Sequence, residues 1–315
     1  MKYNEKPIDI IFKNLKNGIL VETPYIRYDD SVLEFIKRSS VYCHSMYMTI
    51  YRADLHGRLI EIIKSMIRRG IKVYVYIETR ANNTEKANKK MVKILENIGA
   101  YVSTNHQEGK IHLKACALVG YQHTFVHVGT GNYNEVSGNS SLDYHFFTMN
   151  KRYAQEILSI LKNIIFKKRI DRIDSSLGLN PRLITTNPKM IQFLFQWNAQ
   201  VSSDRIWIMT RNITDKTFLK GLSNNKNHPE IIVISGDRIF KKSDKNIKNY
   251  CRKSIHNFHQ RFYIFDDKFY ISSSDITNSS KIEILVEIPK NIKILSNSIR
   301  SLTIEQYFDR LFHVF

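Results

Sequence analysis

The chain has 315 residues and carries a formal net charge of +19, because 48 Lys and Arg outnumber 29 Asp and Glu. Its apolar content of 43% excludes a disordered or collagen-like chain. The sequence has no apolar run near the roughly 20 residues that span a bilayer, no secretory leader, and no CxxC pair among its three cysteines. We therefore expect a soluble cytoplasmic protein whose partners are polyanions, which leaves nucleic acid, polyphosphate, nucleotides and anionic lipid headgroups open.

Helical and strand patterns alternate from about residue 24. Helical spacing predicts helices over 31–39, 54–70, 85–99 and 153–166. Runs rich in β-branched and aromatic residues predict strands over 46–52, 71–78, 100–104, 111–119 and 123–129. Strands that alternate with helices in this way are typical of an α/β protein with largely parallel pairing.

A shorter version of the same order follows the charged segment 167–181. Strands are predicted over 204–212, 230–236, 259–265 and 268–275, with a turn at Asp266-Asp267 and a helix over 214–222. Marker residues recur in the same order, since Arg52, Asp54, His112-x-Lys114 and the loop 129–132 correspond to Arg211, Asp215, His259-x-Arg261 and the loop 272–275. The spacings between markers shorten together, which indicates one unit that was duplicated and trimmed. We expect a lead segment over 1–22 and two domains over 23–172 and 173–315.

Two histidines in this frame are candidates for phosphoryl chemistry. Residues two apart on a strand face the same side, so His112 lies with Lys114 and His259 with Arg261. An imidazole can attack phosphorus or carry a proton, while the neighbouring cation offsets charge on the nonbridging oxygens. Glycines 129 and 131 allow close approach of backbone amides, and Asn132 adds a side-chain donor.

These motifs resemble the C-terminal half of polyphosphate kinase, an enzyme of the phospholipase D-like superfamily that builds polyphosphate through a phosphohistidine. The resemblance is carried by MTIYRAD (48–54), EGKIHLKACAL (108–118), HVGTGNYNE (127–135) and HQRFYIFDDKFYISSSD (259–275). It covers nearly all of this chain but only the two C-terminal domains of the family's enzyme. The fold it implies is α/β, with two tandem phospholipase D-like domains, each a mixed sheet flanked by helices, and the site at their interface.

The resemblance also implies roles for single residues. His112 is the phosphorylated nucleophile, His259 is the second catalytic histidine, and Arg52 stands near phosphate and Mg²⁺. The implied phosphate-binding residues are Lys114, Asn132, Arg261, Gly129 and Gly131. The implied partners are polyphosphate, ATP or ADP, and either a second copy or a polypeptide that supplies the missing N-terminal domains. Mg²⁺ is implied as a cofactor, although no carboxylate cluster that would hold a metal is visible.

The sequence departs from the family pattern at several arginines and one aromatic residue. An arginine expected within 78–88 falls at Asn82, with Arg80 nearby as a substitute at the nucleotide. An expected aromatic residue is Ser141, and an arginine expected within 230–235 is Ile234, with Arg238 nearby. The segment 277–283 has no arginine. The half that carries the nucleophile is therefore intact, whereas the half that holds the nucleotide is eroded.

Three functions remain open from the sequence. The first is a truncated, divergent phosphotransferase of the polyphosphate kinase type. The second is a weakened or inactive family member that binds RNA or another polyanion through the basic stretches 162–172 and 238–253. The third is a phosphodiesterase of the nuclease type, favoured by Asp266 seven residues after His259 and disfavoured by Val119 seven residues after His112.

Overall fold

The computed structural model describes residues 5–23, 26–52, 57–80, 84–133, 143–170, 184–236, 251–255, 260–277, 281–296 and 302–308. Five residues singled out above lie outside these ranges, namely Asp54, Asn82, Ser141, Arg238 and His259. The predicted domain boundary at 172 and 173 and most of the basic stretch 238–253 also lie outside them.

The described helices are amphipathic segments that cover the sheets. They are Pro7–Asn14, Glu34–Ser39, Arg58–Arg68, Glu85–Asn97, Lys151–Ile165, Pro188–Val201 and Lys216–Asn224. Side-chain caps from Asn150, Asn187 and Asp215 set three of the starts. Each side-chain oxygen accepts a hydrogen bond from at least one backbone amide in the first turn of its helix. Within the described ranges, no helix has the length and apolarity needed to cross a bilayer.

Sixteen strands occur in the described part of the chain. In chain order they are β1 (Ile19–Thr23), β2 (Cys43–Ile50), β3 (Lys72–Ile77), β4 (Tyr101–Thr104), β5 (Ala115–Gly120), β6 (Thr124–Gly129), β7 (Asp143–Thr148), β8 (Ile184–Thr185), β9 (Arg205–Thr210), β10 (Glu230–Gly236), β11 (Cys251–Ile255), β12 (Phe262–Phe265), β13 (Lys268–Ser272), β14 (Leu285–Ile288), β15 (Lys293–Leu295) and β16 (Leu302–Thr303). They form one sheet in the order β16-β15-β1-β7-β6-β5-β2-β3-β4 and a second in the order β11-β10-β9-β12-β13-β14-β8.

Six consecutive strands of the first sheet have counterparts in the second. The order β7-β6-β5-β2-β3-β4 matches β14-β13-β12-β9-β10-β11. The strand directions match as well, because β2 with β3 and β9 with β10 pair in parallel, whereas β5 with β2 and β12 with β9 pair antiparallel. The predicted α/β class with two mixed sheets is confirmed, and the repeated order supports the duplication that the marker residues indicated.

The sheets differ from the sequence prediction in three respects. Largely parallel pairing is wrong for β5, β6 and β7, which pair antiparallel with their neighbours, and only β5 and β6 are joined by a short turn as a hairpin. The segment 1–22, predicted only as a lead, contains helix Pro7–Asn14 and most of β1, which pairs with β7 and β15. Helix Pro188–Val201 and the strands β7, β8, β11, β14, β15 and β16 were not predicted at all.

One hydrophobic core joins the two sheets. Helix Lys151–Ile165 buries Ile157, Ile160 and Ile164 against the first sheet, as its apolar spacing predicts. The same cluster includes Phe262 of the second sheet, whose ring lies 5.8 Å from that of Tyr144 on β7. Each such side chain contributes about 1.5–3 kcal/mol when it is fully buried, so the halves are held together mainly by apolar contact.

A buried carboxylate lies at the junction of the two halves. Glu22 on β1 is 4% exposed and accepts hydrogen bonds from Gln260 Nε2 at 2.8 Å and from the Tyr307 hydroxyl at 2.7 Å. Burial raises the pKa of Glu22 to about 7, although the two donors oppose the shift. The folded protein therefore holds this proton more tightly than the unfolded chain does.

We expect the stability of Glu22→Gln relative to the wild type to rise with pH. A raised pKa in the folded state gives stability that is fully present below the unfolded value of 4.5 and is lost as the pH rises through about 7. The amide cannot ionise, so the variant should gain about 1–3 kcal/mol over the wild type between pH 5 and pH 8 in urea unfolding. Glu61→Gln, at an exposed position, is the matched control, and a pH-independent difference for Glu22→Gln would contradict the assignment.

Candidate active site

The two halves meet backbone to backbone beside His112. Ile111 and Ile282 form an isolated parallel bridge. The amide of His112 donates to the carbonyl oxygen of Ile282 at 2.9 Å, and the amide of Ile282 donates to the carbonyl oxygen of Lys110 at 2.9 Å. The regular strand β5 begins only at Ala115, so the strand predicted from residue 111 starts four residues later than expected. The bridge fixes the backbone of His112 against the other half of the molecule.

Both ring nitrogens of His112 have close polar neighbours. Nδ1 lies 2.7 Å from Glu283 Oε2 and 3.2 Å from the Ser273 carbonyl oxygen, and Nε2 lies 2.8 Å from Lys114 Nζ. Both neighbours of Nδ1 are acceptors when Glu283 is ionised, which assigns the proton to Nδ1 and the lone pair to Nε2. The predicted pairing of His112 with Lys114 is thus seen as a direct contact.

The electrostatics keep the imidazole of His112 neutral. Burial, followed by the charges of Lys114, Arg261 and Lys281, lowers the pKa of His112 well below its usual value. Burial also lowers the pKa of Lys114 well below its usual range and raises the pKa of Glu283 to about 7. The three groups are close enough to titrate together, so the site holds its protons as one set.

The ring of Tyr51 packs against the ring of His112. Sequence reasoning did not single out Tyr51. The two rings meet edge to face with centroids 4.3 Å apart. Three cations surround the tyrosine, with Lys114 Nζ at 5.1 Å, Lys281 Nζ at 5.7 Å and Arg52 Cζ at 5.9 Å from its ring centroid. Arg52 Nε is buried and has no hydrogen-bond partner among the described residues. Arg52 therefore lies close to His112, and its role near phosphate stays a prediction.

Each half contains the same hydroxyl and carboxylate pair. The Ser273 hydroxyl donates to Glu283 at 2.6 Å, and the Thr130 hydroxyl donates to Asp143 at 2.8 Å. In both halves the hydroxyl also accepts the amide of the residue after the carboxylate, at 2.9 Å in one and 3.0 Å in the other. Asp143 therefore occupies in the first half the place that Glu283 occupies in the second.

Asp143 and Glu283 are functional candidates that sequence reasoning missed. Burial raises the pKa of Asp143 to about 7, and its Oδ2 has no hydrogen-bond partner among the described residues. The available signal was a small-residue loop followed in each half by a carboxylate at or near the start of the next strand.

The glycines of the loop 129–132 are required by packing. A Cβ on Gly129 would lie 2.6 Å from His145 Nδ1, and one on Gly131 would lie 2.6 Å from Asp143 Oδ2. The amide of Gly129 donates to the Lys114 carbonyl at 2.9 Å, which links the loop to the base of the site. Asn132 Oδ1 is buried without a partner in the described part of the chain. The phosphate contacts predicted for the two glycines and Asn132 stay predictions.

Arg261 is buried in an ion pair. Its Nε lies 2.8 Å from Asp275 Oδ1, and Asp275 also accepts from the hydroxyl of Thr210 and the side-chain amide of Asn212, both at 3.1 Å. Burial opposes the charge of Asp275, but Arg261 and these donors outweigh it and lower its pKa to about 2. The described contacts of Arg261 hold the loop that leads to Asp275, and its predicted contact with phosphate is not tested by them.

Arg80 holds the segment that leads into His112. It donates to Glu78 Oε1 through Nε at 2.8 Å and to the carbonyl of Gly109 at 2.7 Å. Glu78 in turn accepts the amide of Ile111 at 2.8 Å. The role of Arg80 beside a nucleotide therefore stays a prediction, and its contacts in the structure hold the segment that precedes His112.

Asp266, which favoured a nuclease, serves the backbone of the second sheet. Its Oδ1 accepts the amides of Ser203 at 3.0 Å, Asp204 at 2.9 Å and Arg205 at 3.3 Å, where β9 begins. The carboxylate thereby joins the turn between β12 and β13 to the start of β9. Its position in the sequence is thus explained by strand pairing and gives no support to phosphodiester cleavage.

The described residues do not fit a protein-held Mg²⁺. They contain no group of three or more His, Cys, Asp or Glu side chains arranged for a metal. Of the carboxylates beside the cations, Glu283 is bound to His112 and Ser273, Asp275 is bound to Arg261, and Asp143 is bound to Thr130 through Oδ1. Magnesium is commonly held by one or two carboxylates together with substrate phosphates. No chemical step is assigned to it.

We expect Arg261→Met to destabilise the protein by about 3–5 kcal/mol in urea unfolding, because it leaves the buried carboxylate of Asp275 without its cation. Arg261→Met combined with Asp275→Asn should recover much of this loss, since the unpaired charge is then removed. In the wild type, the lowered pKa of Asp275 gives stability that is present above pH 3.8 and is lost as the pH falls towards 2. Equal losses in the single and double variants would contradict this role of the ion pair.

Comparison with known proteins places these features in a family. The model of polyphosphate kinase C-terminal domain 1 matches residues 10–169, about half of the chain. The polyphosphate kinase of Campylobacter coli is 26% identical over 277 residues, and that of Helicobacter pylori strain J99 is 25% identical over 314 residues. These alignments cover 82% and 94% of this chain but 39% and 46% of the relatives. The chain therefore spans less than half the length of these curated relatives.

Solved structures show the same fold. The polyphosphate kinase of Porphyromonas gingivalis superposes with a TM-score of 0.70 at 17% identity, over 89% of this chain and 49% of that one. The phosphatidylserine synthase of Haemophilus influenzae superposes with a TM-score of 0.59 at 12% identity, over 90% and 87% of the two chains. At these identities the likeness concerns the fold alone, and it agrees with the predicted α/β architecture of two mixed sheets flanked by helices.

Proposed function

This chain belongs to the polyphosphate kinase C-terminal domain 1 family, and from that premise we propose that it moves a terminal phosphoryl group between ATP and polyphosphate through a phosphohistidine at His112. The observation that carries the proposal is the orientation of His112, with Nδ1 on Glu283 at 2.7 Å and Nε2 beside Lys114 at 2.8 Å. A neutral imidazole with one nitrogen fixed and the other facing a cation is suited to attack phosphorus. ATP or ADP, polyphosphate and a cytoplasmic location are parts of this proposal.

The first transfer forms a bond from His112 Nε2 to the terminal phosphorus. As this bond forms, the bond between phosphorus and the bridging oxygen breaks, and its electron pair leaves with ADP or the shortened polyphosphate. The proton stays on Nδ1, where Glu283 stabilises the positive charge that develops on the ring. Lys114 lies at Nε2 and can transfer its hydrogen bond to a nonbridging oxygen of the incoming group.

The second transfer reverses the bond changes with a different acceptor. A terminal oxygen of polyphosphate or ADP attacks the phosphorus, the N–P bond breaks, and the electron pair returns to Nε2. Glu283 holds His112 in the same tautomer throughout, so the imidazole is ready for the next cycle. The cations around Tyr51, which include Arg52 and Lys281, are placed to offset charge on the phosphate chain.

The second catalytic histidine in this proposal is His259, which lies outside the described residues. What supports its role is the match between the Thr130 and Asp143 pair and the Ser273 and Glu283 pair. Asp143 is the counterpart, in the first half, of the carboxylate that holds His112, and the role proposed for His259 follows from this repeat. In this arrangement His259 acts as the acid or base for the leaving and attacking oxygens.

We expect acid-labile phosphate on His112 after incubation of the full chain with Mg-ATP or polyphosphate. His112→Asn should carry no label, because the attacking nitrogen is lost. Glu283→Gln should label about 10–100-fold more slowly, since outer partners of an active histidine set its tautomer and basicity. Glu230→Gln is the matched control. The carboxylate of Glu230 accepts a hydrogen bond of 3.0 Å from Trp207 Nε1 and has no described contact with His112.

Two results would count against this function. A folded wild-type chain that takes no label from either donor would exclude the phosphohistidine. Labelling of Glu283→Gln at the wild-type rate would leave the nucleophile in place but remove the proposed role of the hydrogen bond across the halves.

A further inference from the structure

Four aromatic side chains form a continuous row on the outer part of the first sheet. Tyr47, Tyr74 and Tyr101 lie opposite one another on β2, β3 and β4, with ring centroids 4.8 Å and 5.8 Å apart. Phe166, at the end of helix Lys151–Ile165, lies 6.5, 5.6 and 5.8 Å from these three rings in turn. We call these four side chains the aromatic ladder.

The aromatic ladder becomes more exposed towards the edge of the sheet. Tyr47 is 9% exposed, whereas Tyr101 on the edge strand β4 is 49% exposed and Phe166 is 40% exposed. The inner rings are therefore packed and rigid, and the outer two offer apolar surface to solvent. Rings fixed in this way lose little conformational entropy when a planar ligand stacks on them.

Lysine and arginine side chains surround the aromatic ladder. Lys162 Nζ lies 5.3 Å from the ring centroid of Tyr47, and Lys72 is two residues before Tyr74 on the same face of β3. Three further exposed cations follow Phe166 directly, namely Lys167, Lys168 and Arg169. Within the described ranges, none of these five cations forms an ion pair, so their charge is available to a polyanion.

This surface is separate from the candidate active site. Tyr47 and Tyr51 lie four residues apart on the same side of the chain, which is about 13 Å at 3.3 Å per residue. Tyr51 contacts His112, whereas Tyr47 contacts Tyr74 and Lys162. A ligand on the outer rings would therefore not need to occupy the site of phosphoryl transfer.

We propose that the aromatic ladder and its cations bind single-stranded nucleic acid, with bases stacked on Tyr101 and Phe166 and phosphates on the surrounding cations. Aromatic rings beside a basic surface are the usual means of holding single strands without regard to sequence. Inorganic polyphosphate would use the cations but gain nothing from the rings. A duplex would hide its bases from the rings, which favours the single strand.

The test measures the fluorescence anisotropy of a labelled single-stranded RNA of about 12 nucleotides with the full chain at several salt concentrations. Tyr101→Ala and Phe166→Ala should each weaken binding about tenfold to hundredfold, because each removes a stacking surface. Tyr101→Phe keeps the ring and should bind as the wild type does. Lys167→Ala and Lys168→Ala should each reduce the salt slope by about 0.7, as expected for one phosphate contact with a single strand.

Two control variants show whether RNA binding depends on the aromatic ladder. Tyr121→Ala removes a tyrosine that is 93% exposed and lies outside the aromatic ladder, and it should leave RNA binding unchanged. His112→Ala should also bind RNA normally, so the failure of this proposal and the failure of the phosphohistidine can be told apart. Thermal unfolding of each variant confirms that the exposed substitutions leave the fold intact.

Competition with inorganic polyphosphate decides between stacking and charge alone. Under the proposal, Tyr101→Ala weakens RNA binding but leaves polyphosphate binding unchanged. Equal losses for both ligands, or wild-type RNA affinity in both folded alanine variants, would overturn it. Loss of binding in Tyr101→Phe would also overturn it, because the aromatic face would then not be what binds the base.

Discussion

The hydrogen bond between His112 and Glu283 joins the two halves and determines which ring nitrogen carries the lone pair. It spans 171 positions of sequence and is 2.7 Å long. Its geometry depends on the backbone bridge between Ile111 and Ile282, which in turn depends on the core shared by the two sheets. A shift of one half relative to the other would release Nδ1 from Glu283, and the tautomer of His112 would no longer be set. The packing of the whole molecule is therefore part of the chemistry at this single atom.

The burial of this site explains why its charges act as a group. A carboxylate in an apolar environment resists ionisation, and Glu22, Asp143 and Glu283 all have pKa values raised to about 7 by burial. Burial also disfavours the charged form of a lysine, and it therefore lowers the pKa of Lys114. Under the proposed function, an incoming phosphate chain would bring negative charge into these surroundings and favour the charged form of Lys114. Ligand binding and proton binding are consequently linked at this site, and neither is a property of one residue.

Sequence reasoning predicted the repeated strand order, most helix positions and the contact between His112 and Lys114, because these depend on local periodicity and on residues close in the chain. It missed Glu283, Asp143 and Tyr51. The small-residue loop before each carboxylate was an available signal, but the contacts of Glu283 with His112 and of Tyr51 with His112 join segments that are distant in the chain. Strand β7 was missed because its sequence places Asp143 and His145 in a buried strand, where polar residues are tolerated only with partners supplied by distant segments. The phosphate contacts predicted for Gly129 and Gly131 stay predictions, and packing against His145 and Asp143 is what requires glycine there in the structure. His259 carries the counterpart of the first motif, and its role rests on the repeat.

The contacts of Arg80 and Arg52 bear on which cations the proposed function would place beside a phosphate chain. Release of Arg80 towards a ligand would break its contacts with Glu78 and Gly109 and leave the buried Glu78 without its cation, at a cost of about 3–5 kcal/mol. It would also loosen the segment that ends at Ile111, since Glu78 accepts that amide. Arg52 faces no such cost, because its Nε has no partner among the described residues and the side chain already lies beside Tyr51. The cations around Tyr51 are therefore better placed than Arg80 to meet a phosphate chain, and a site built on them would favour the phosphates over the nucleoside.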